Sequence, residues 1–342
     1  IKFLRLPAFR QDGLPTQHLQ AQKFDSTLLH LFMNQINAKS HQLHSLLVIQ
    51  KGQLIIEEYF NDHAWDQVHD IRSATKSIKS LLVGIALHKG FIDDINDPIS
   101  KYLPTLVPEK NPDERKAQIT IKHLLTMSAG WDCNDWDKKS KGQEDKVYKK
   151  KDWLQYTVDL PMVHDPGERS TYCSMGVALL TEIIHQSSGM PIDEFADAYL
   201  FQPLGITKAH WQHTADRPVI SSGKRLSLTS RDLAKIGLLV LNQGRWKGEQ
   251  IVSADWIETS TTPQTMITGI GYGYLWWNIA FQYQDRYIMS KSATGNGGQY
   301  IFIIPEFELI AVFTGGAYNS EEDKLPLAIV QDMILPSLKG NK

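Results

Sequence analysis

The sequence predicts a mixed α/β fold of the α+β kind. One antiparallel sheet is drawn from both ends of the chain and flanked by helices, with a mainly helical lobe inserted between. Three observations predict it. Strand-like runs cluster early, at Leu46-Leu47-Val48-Ile49-Gln50 and Gln53-Leu54-Ile55-Ile56, and again late, at Tyr300-Ile301-Phe302-Ile303-Ile304 and Leu309-Ile310-Ala311-Val312-Phe313. Between them, to about residue 265, the apolar residues recur at helical spacing. The chain has 342 residues, 42% of them hydrophobic, enough for one large domain or two lobes with a sizeable core. We divide it into a sheet lobe (1–75 plus 268–342) and a mainly helical lobe (76–267), with the active site between them.

Taken in order, residues 1–24 read as irregular. Asp25-Ser26 caps an amphipathic helix that carries Leu28, Leu29, Phe32 and Ile36 on one side. The two early strands form a hairpin about Lys51-Gly52. A helix follows from Ser73 to Lys89-Gly90, with glycine at its stop. Ile119 to Gly130 reads as a short helix stopped by glycine, and 137–152 as a solvated loop of mixed charge. Apolar helices are expected from Gly176 to Gly189 and over 228–241, with Thr229 as a cap. Tyr272 to Trp277 is aromatic and strand-like, and 325–338 is a closing helix.

Composition excludes several classes. A net charge of −2 gives no electrostatic case for nucleic acid or an anionic membrane. No apolar run approaches the roughly 18 residues of a transmembrane helix. The chain opens on Ile1 and has no apolar core of a signal peptide. We take it as trimmed: a removed export signal would put it in the periplasm or outside the cell, and otherwise it would stay in the cytoplasm. Cys133 and Cys173 are expected as two buried free thiols, with a disulfide as the alternative in an oxidising compartment. No H-E-x-x-H occurs and the twelve histidines show no metal spacing, so no metal and no cofactor is expected. Neither a G-x-S-x-G elbow nor a phosphate loop after an early strand is present.

Three stretches carry chemistry. In Ser73-Ala74-Thr75-Lys76-Ser77-Ile78-Lys79-Ser80, positions i and i+3 share a helix face, so Ser73, Lys76 and Ser80 form a narrow polar stripe on an otherwise apolar helix. A serine is a poor nucleophile until something takes its proton, and burial favours a lysine that has lost its charge. Ser73 also sits at a helix N-terminus, which favours developing negative charge. An ordinary cap serine beside a solvated lysine is the plainer reading of those residues alone. Tyr172-Cys173-Ser174, before an apolar helix, offers a second proton carrier, or simply a tyrosine packed in a loop. Lys291-Ser292-Ala293-Thr294-Gly295-Asn296-Gly297-Gly298-Gln299 has the glycines of a close backbone approach, or of a flexible turn. A backbone N–H beside Gly295 could join that of Ser73 as an oxyanion hole.

In this order and at these intervals, Ser73-x-x-Lys76, Tyr172-x-Ser174 and the Thr294-Gly295 segment resemble the motifs of the class C β-lactamase-related serine hydrolases: penicillin-binding carboxypeptidases, esterases and 6-aminohexanoate-dimer hydrolases. Leu124 to Gly130 and Gly297-Gly298-Gln299 also look like that family, and the likeness runs from about residue 40 to the C-terminus. The resemblance implies a β-lactamase/transpeptidase-like fold. It implies Ser73 as the acylated nucleophile, Lys76 and Tyr172 as the base and acid pair, and Ser174 on the lysine or the substrate amide. Gly295 and Asn296 would lie at the oxyanion. Two departures bear on substrate. Ala293 stands where penicillin-recognising members carry a basic residue before Thr-Gly, and Ser174 where asparagine is common. Lys291, two residues away on a strand, would displace the charge by roughly 6–7 Å.

These readings lead to an expectation: a serine hydrolase that cleaves a small amide or ester through an acyl-enzyme, like the 6-aminohexanoate-oligomer hydrolases and esterases. A penicillin-binding DD-peptidase or β-lactamase is the first alternative. A non-catalytic penicillin-sensing or scaffold protein is the second, and a partly buried lysine, costly unless satisfied, argues against it. Trp131, Trp136, Trp276 and Trp277 are candidates for the pocket wall, or for ordinary packing.

Overall fold

Leu43–Gln50 (β1) and Gln53–Tyr59 (β2) are rich in β-branched and leucine side chains, and Lys51 and Gly52 turn the chain between them with φ of 49° and 74°. Positive φ at both turn residues matches the twist of the paired strands. The structure, a computed structural model, describes residues 3–22, 24–213 and 223–339. Ile1, Lys2 and Lys23, within the stretch expected to be irregular, lie outside the described residues. Ser26–Asn37 (α1) starts from the Asp25 carboxylate, which accepts from the Thr27 and Leu28 N–H groups. Val68–Asp70 (β3) leads into Ala74–His88 (α2).

Ser174–Ser188 (α3) and Ser230–Leu241 (α4) follow, the latter capped by Thr229 as expected. Arg225–Thr229 (β5) pairs with both β3 and His210–Gln212 (β4) in a small sheet. Ala254–Thr261 (α5) leads to the remaining strands: Thr265–Ile267 (β6), Ile270–Tyr272 (β7), Trp277–Tyr283 (β8), Arg286–Gly295 (β9), Gln299–Ile304 (β10) and Leu309–Gly315 (β11). The main sheet runs β2-β1-β11-β10-β9-β8-β7-β6, every neighbour antiparallel. The C-terminal strand β11 therefore slots between the N-terminal hairpin and the late meander.

Strand alternation splits the core in two. Leu47, Ile49, Ile301, Ile303, Ile310 and Val312 face the helical side with Ile78 and Leu82 of α2. Leu46, Val48, Phe302, Ala311 and Phe313 face the other side, where they are covered by Leu29 and Met33 of α1 and by Val330, Met333 and Ile334 of the closing helical run. Gly84 sits in the middle of α2, where glycine costs about 1 kcal/mol against alanine. A Cβ there would meet the Trp256 ring at 2.1 Å, and the Trp256 indole N–H donates to the Ser80 carbonyl at 2.9 Å, so the glycine admits α5. Among the described residues no helix is long and apolar enough to cross a membrane.

Several local expectations change. The helix expected over 119–130 spans Ile121–Leu125, because Met127 adopts a φ of 56° and ends it before Gly130. Tyr272–Trp277 is not one strand: a turn with Leu275 at φ 64° separates β7 from β8. The closing helix is present but includes a wider π turn over Val330–Ile334. Helix α4, which we placed with the helical lobe, packs on β1, β10 and β11, so a cut of the chain at 76 and 267 does not separate the packing units. Cys133 and Cys173, expected as free thiols, form a disulfide with Cα atoms 5.4 Å apart. They lie 40 residues apart in the chain, and only the fold brings their loops together.

Candidate active site

Ser73 is delivered by a strained turn. Arg72, just before it, has φ of 50°, a region costly for a residue with a Cβ. Asp70 holds that turn: it accepts from the Arg72 N–H at 2.9 Å, and its other oxygen lies 3.2 Å from Arg72 Nε and 2.9 Å from the Arg225 guanidinium. The Ser73 side chain makes no cap bond to α2. Instead Lys76 Nζ donates to Ser73 Oγ at 2.9 Å. The Ser73 N–H has no acceptor among the described residues.

The charges around this pair are set by burial and neighbours. Burial disfavours the Lys76 ammonium, but Tyr172, Glu144 and Asp135 outweigh it, and the group is held above its usual range. Lys76 is thus a cation at neutral pH. Lys79, one turn further on, is 5% exposed and is pushed down to about 7 by burial and then by the Lys76 charge. Asp135 is pushed up, first by burial and then by Glu144, against the pull of Lys76 and the Ser174 hydrogen bonds.

Tyr172 faces Lys76, whose Nζ lies 4.9 Å from its ring centroid. The ring stacks on Trp136 at 4.9 Å, nearly parallel, and against Trp277 at 5.8 Å. Ser174 begins α3, and both its N–H and its hydroxyl donate to one Asp135 oxygen, at 2.9 and 2.6 Å. That hydroxyl is therefore engaged by a carboxylate rather than by Lys76. The Cys133–Cys173 bond joins the loop bearing Asp135 and Trp136 to the residue between Tyr172 and Ser174.

The third stretch closes the site. Gly295 ends β9 against the Ser73 turn: a Cβ there would lie 2.3 Å from the Ile71 carbonyl oxygen and 3.2 Å from the Ala74 nitrogen. Only glycine lets the two backbones approach so closely. Asn296 is fixed by reciprocal bonds with Asn319, at 2.8 and 2.9 Å. Ala293 is fully buried, and Lys291 points elsewhere, pairing with Glu258 at 3.3 Å.

Ser73, Lys76, Tyr172, Ser174, Gly295 and Asn296 thus line one cavity of about 610 Å³. Of the four tryptophans, Trp136 and Trp277 line it, whereas Trp131 and Trp276 are buried elsewhere. Asp135, Glu144 and Lys79 also line it, and sequence reasoning missed all three. Glu144 opens a one-turn helix, Glu144–Val147, inside the stretch expected to be a solvated loop. Its neighbours Ser140 and Val147 are buried, and they anchor this charged segment against the site. The pairing of 133 with 173 is the signal that could have placed Asp135 beside Ser174.

The chain is similar to known proteins over most of its length. The family model described as Beta-lactamase matches residues 39–330. An uncharacterised protein of Alkalihalophilus pseudofirmus is 24% identical over 81% of this chain and 85% of its own length. A protein of Salmonella paratyphi A, provisionally described as a D-alanyl-D-alanine carboxypeptidase, is 25% identical over 58% of this chain, and the match spans 49% of that protein. The structure of a protein from Bacillus anthracis, provisionally a 6-aminohexanoate-dimer hydrolase, superposes with a TM-score of 0.71 at 18% identity, covering 95% of this chain and 89% of that one. A class C beta-lactamase does so with a TM-score of 0.67 at 16% identity, covering 93% and 97%. The expected β-lactamase/transpeptidase-like fold is the observed one, and with the family model spanning most of its length, the chain belongs to the Beta-lactamase family.

Proposed function

We propose that this chain is a serine hydrolase that opens a small amide or ester through an acyl-enzyme on Ser73. The observation that carries the reading is the 2.9 Å contact from Lys76 Nζ to Ser73 Oγ, in a cavity that Tyr172 faces from the other side. A lysine held as an ammonium cannot take the serine proton. The reactive form therefore pairs the Lys76 ammonium with the Tyr172 phenolate, which receives the proton as Oγ attacks the carbonyl carbon. Tyr172 returns that proton to the leaving amine or alcohol. The oxyanion of the tetrahedral intermediate is held by the Ser73 N–H and an N–H at Gly295–Asn296. Water then attacks the acyl-enzyme and gives its proton to Tyr172, which passes it to the departing Ser73 Oγ, releasing the acid and free Ser73.

The substrate class follows from what flanks Thr294. Ala293 supplies no charge and Lys291 is paired with Glu258, so neither residue of this segment offers a cation to a carboxylate beside the scissile bond. Short peptide-like oligomers, D-amino-acid amides and short acyl esters fit this better than penicillins. The test is the intact mass after exposure to a short p-nitrophenyl ester and, separately, to benzylpenicillin, with Ser73→Ala as control. We expect a Ser73-dependent adduct or product burst from the ester and none from penicillin. A lasting penicillin adduct would move the chain to the penicillin-binding branch. Ester turnover retained in Ser73→Ala would refute the mechanism.

A further inference from the structure

Away from the cavity, three histidines converge. His44 lies on β1, His69 on β3, and His63 on the loop between β2 and β3. Each offers one ring nitrogen, and these nitrogens all lie within 4.8 Å of one another. His44 Nδ1 and His69 Nε2 are 2.9 Å apart, and the His44 and His63 rings stack at 3.5 Å. We propose that His44, His63 and His69 form a binding site for a divalent transition metal of the zinc type.

The loop is built to bring the third ring in. Asn61 and Asp62 both adopt positive φ, 53° and 60°, and so reverse the chain directly after β2. The Asn61 amide pins that reversal by donating to the His41 and Leu43 carbonyls, at 2.9 and 2.8 Å. His63 Nδ1 donates to the Asn61 carbonyl at 2.9 Å, which leaves Nε2 with its lone pair. A ligating histidine is commonly oriented in this way, by a carbonyl on its other nitrogen.

Metal binding takes the imidazoles in their neutral form. Three imidazoles with a fourth position left to water suit Zn²⁺ in tetrahedral geometry at about 2.0–2.1 Å. A metal lies in the plane of each ring that binds it, so the stacked His44 and His63 rings, 13° from parallel, would have to turn toward one another to share it. Such a metal would tie β1, the reversed loop and β3 together four residues before Ser73, giving it a structural role independent of the hydrolase reading.

The test uses the tag-free full chain, stripped with a chelator and titrated with Co²⁺ and then Zn²⁺. We expect one equivalent of Co²⁺ with the intense visible bands of a four-coordinate site, displaced by Zn²⁺, and a Zn²⁺-dependent rise in Tm. His63→Ala removes a half-exposed loop side chain, and circular dichroism would confirm its fold, with His63→Gln in reserve. It should bind Zn²⁺ at least about 10–100-fold more weakly, the range already seen when only a ligand's outer partner is lost. His41→Ala, which alters a nearby ring outside the cluster, should bind as the parent does. No metal taken up by the parent chain, or equal uptake by a folded His63 variant, would overturn the site.

Discussion

At the scale of single residues, the reading turns on two lysines one helical turn apart in different electrical states. Lys76 is kept charged by Tyr172, Glu144 and Asp135 despite its burial. Lys76→Ala and Tyr172→Phe should each lower kcat by about 10²–10⁴ on the ester substrate, the usual worth of acid–base catalysis. A loss under tenfold in either would mean its role is misassigned. Lys79 is instead lowered, first by burial and then by the Lys76 charge, from 10.5 to about 7. Below pH 7 it is charged in both folded and unfolded chains, and the cost of its burial is fully present. As pH rises from 7 to 10.5 the folded protein loses this proton before the unfolded chain does, so its contribution to stability climbs. Lys79→Met should therefore be more stable than the parent at pH 7. The difference should shrink by ~1.4 kcal/mol per pH unit across that window. Denaturant midpoints for both proteins at several pH values measure this directly, and parallel pH curves would show that Lys79 is ordinarily solvated.

At the scale of elements, the disulfide has the most leverage. It closes a loop of 40 residues and locks the Tyr172 segment to the Asp135–Trp136 segment. A Cys133→Ala/Cys173→Ala double variant should lose about 2–4 kcal/mol of stability. Its kcat should fall further than KM changes, because Tyr172 and Ser174 flank the bond. Equal stability of the parent with and without reductant would show that the bond contributes nothing. What was legible in the sequence was also set at this scale. Helix α2 could be read because its apolar residues surround one polar stripe, and β1 and β2 because a turn signal separates two strand-like runs. Lys79 was not, because a lysine at its position looks like any other until the fold buries it. Glu144 was hidden for the opposite reason, since charge composition reports solvation on average and says nothing about one carboxylate folded inward. The histidines at 44, 63 and 69 follow no ligand spacing, because a strand, a reversed loop and a second strand bring them together.

At the scale of the whole molecule, the placement of β11 decides which parts can loosen without losing the site. It lies between β1 and β10, so the middle of the sheet is made from the two ends of the chain. β10 and β11 are buried along their whole length, and both faces of the sheet there are covered by helices. At the far edge, β6 and β7 are three-residue strands with Met266 57% and Ile270 41% exposed. Local opening follows buried contacts, so the two regions should differ in free energy of exchange. Native-state hydrogen exchange should find the amides of β1, β10 and β11 opening only with global unfolding, while β6 and β7 exchange by local fluctuation. Gly295 ends a strand paired directly with β10, so the ladder-bonded amides leading up to it belong to the slow set even though that end of the strand faces a cavity. Ser73, by contrast, is held by a strained turn and by Asp70 rather than by the sheet. If protection at the end of β9 were as low as at β6, the oxyanion edge would not be preorganised. The hydrolase reading would then need closure on substrate to assemble the site.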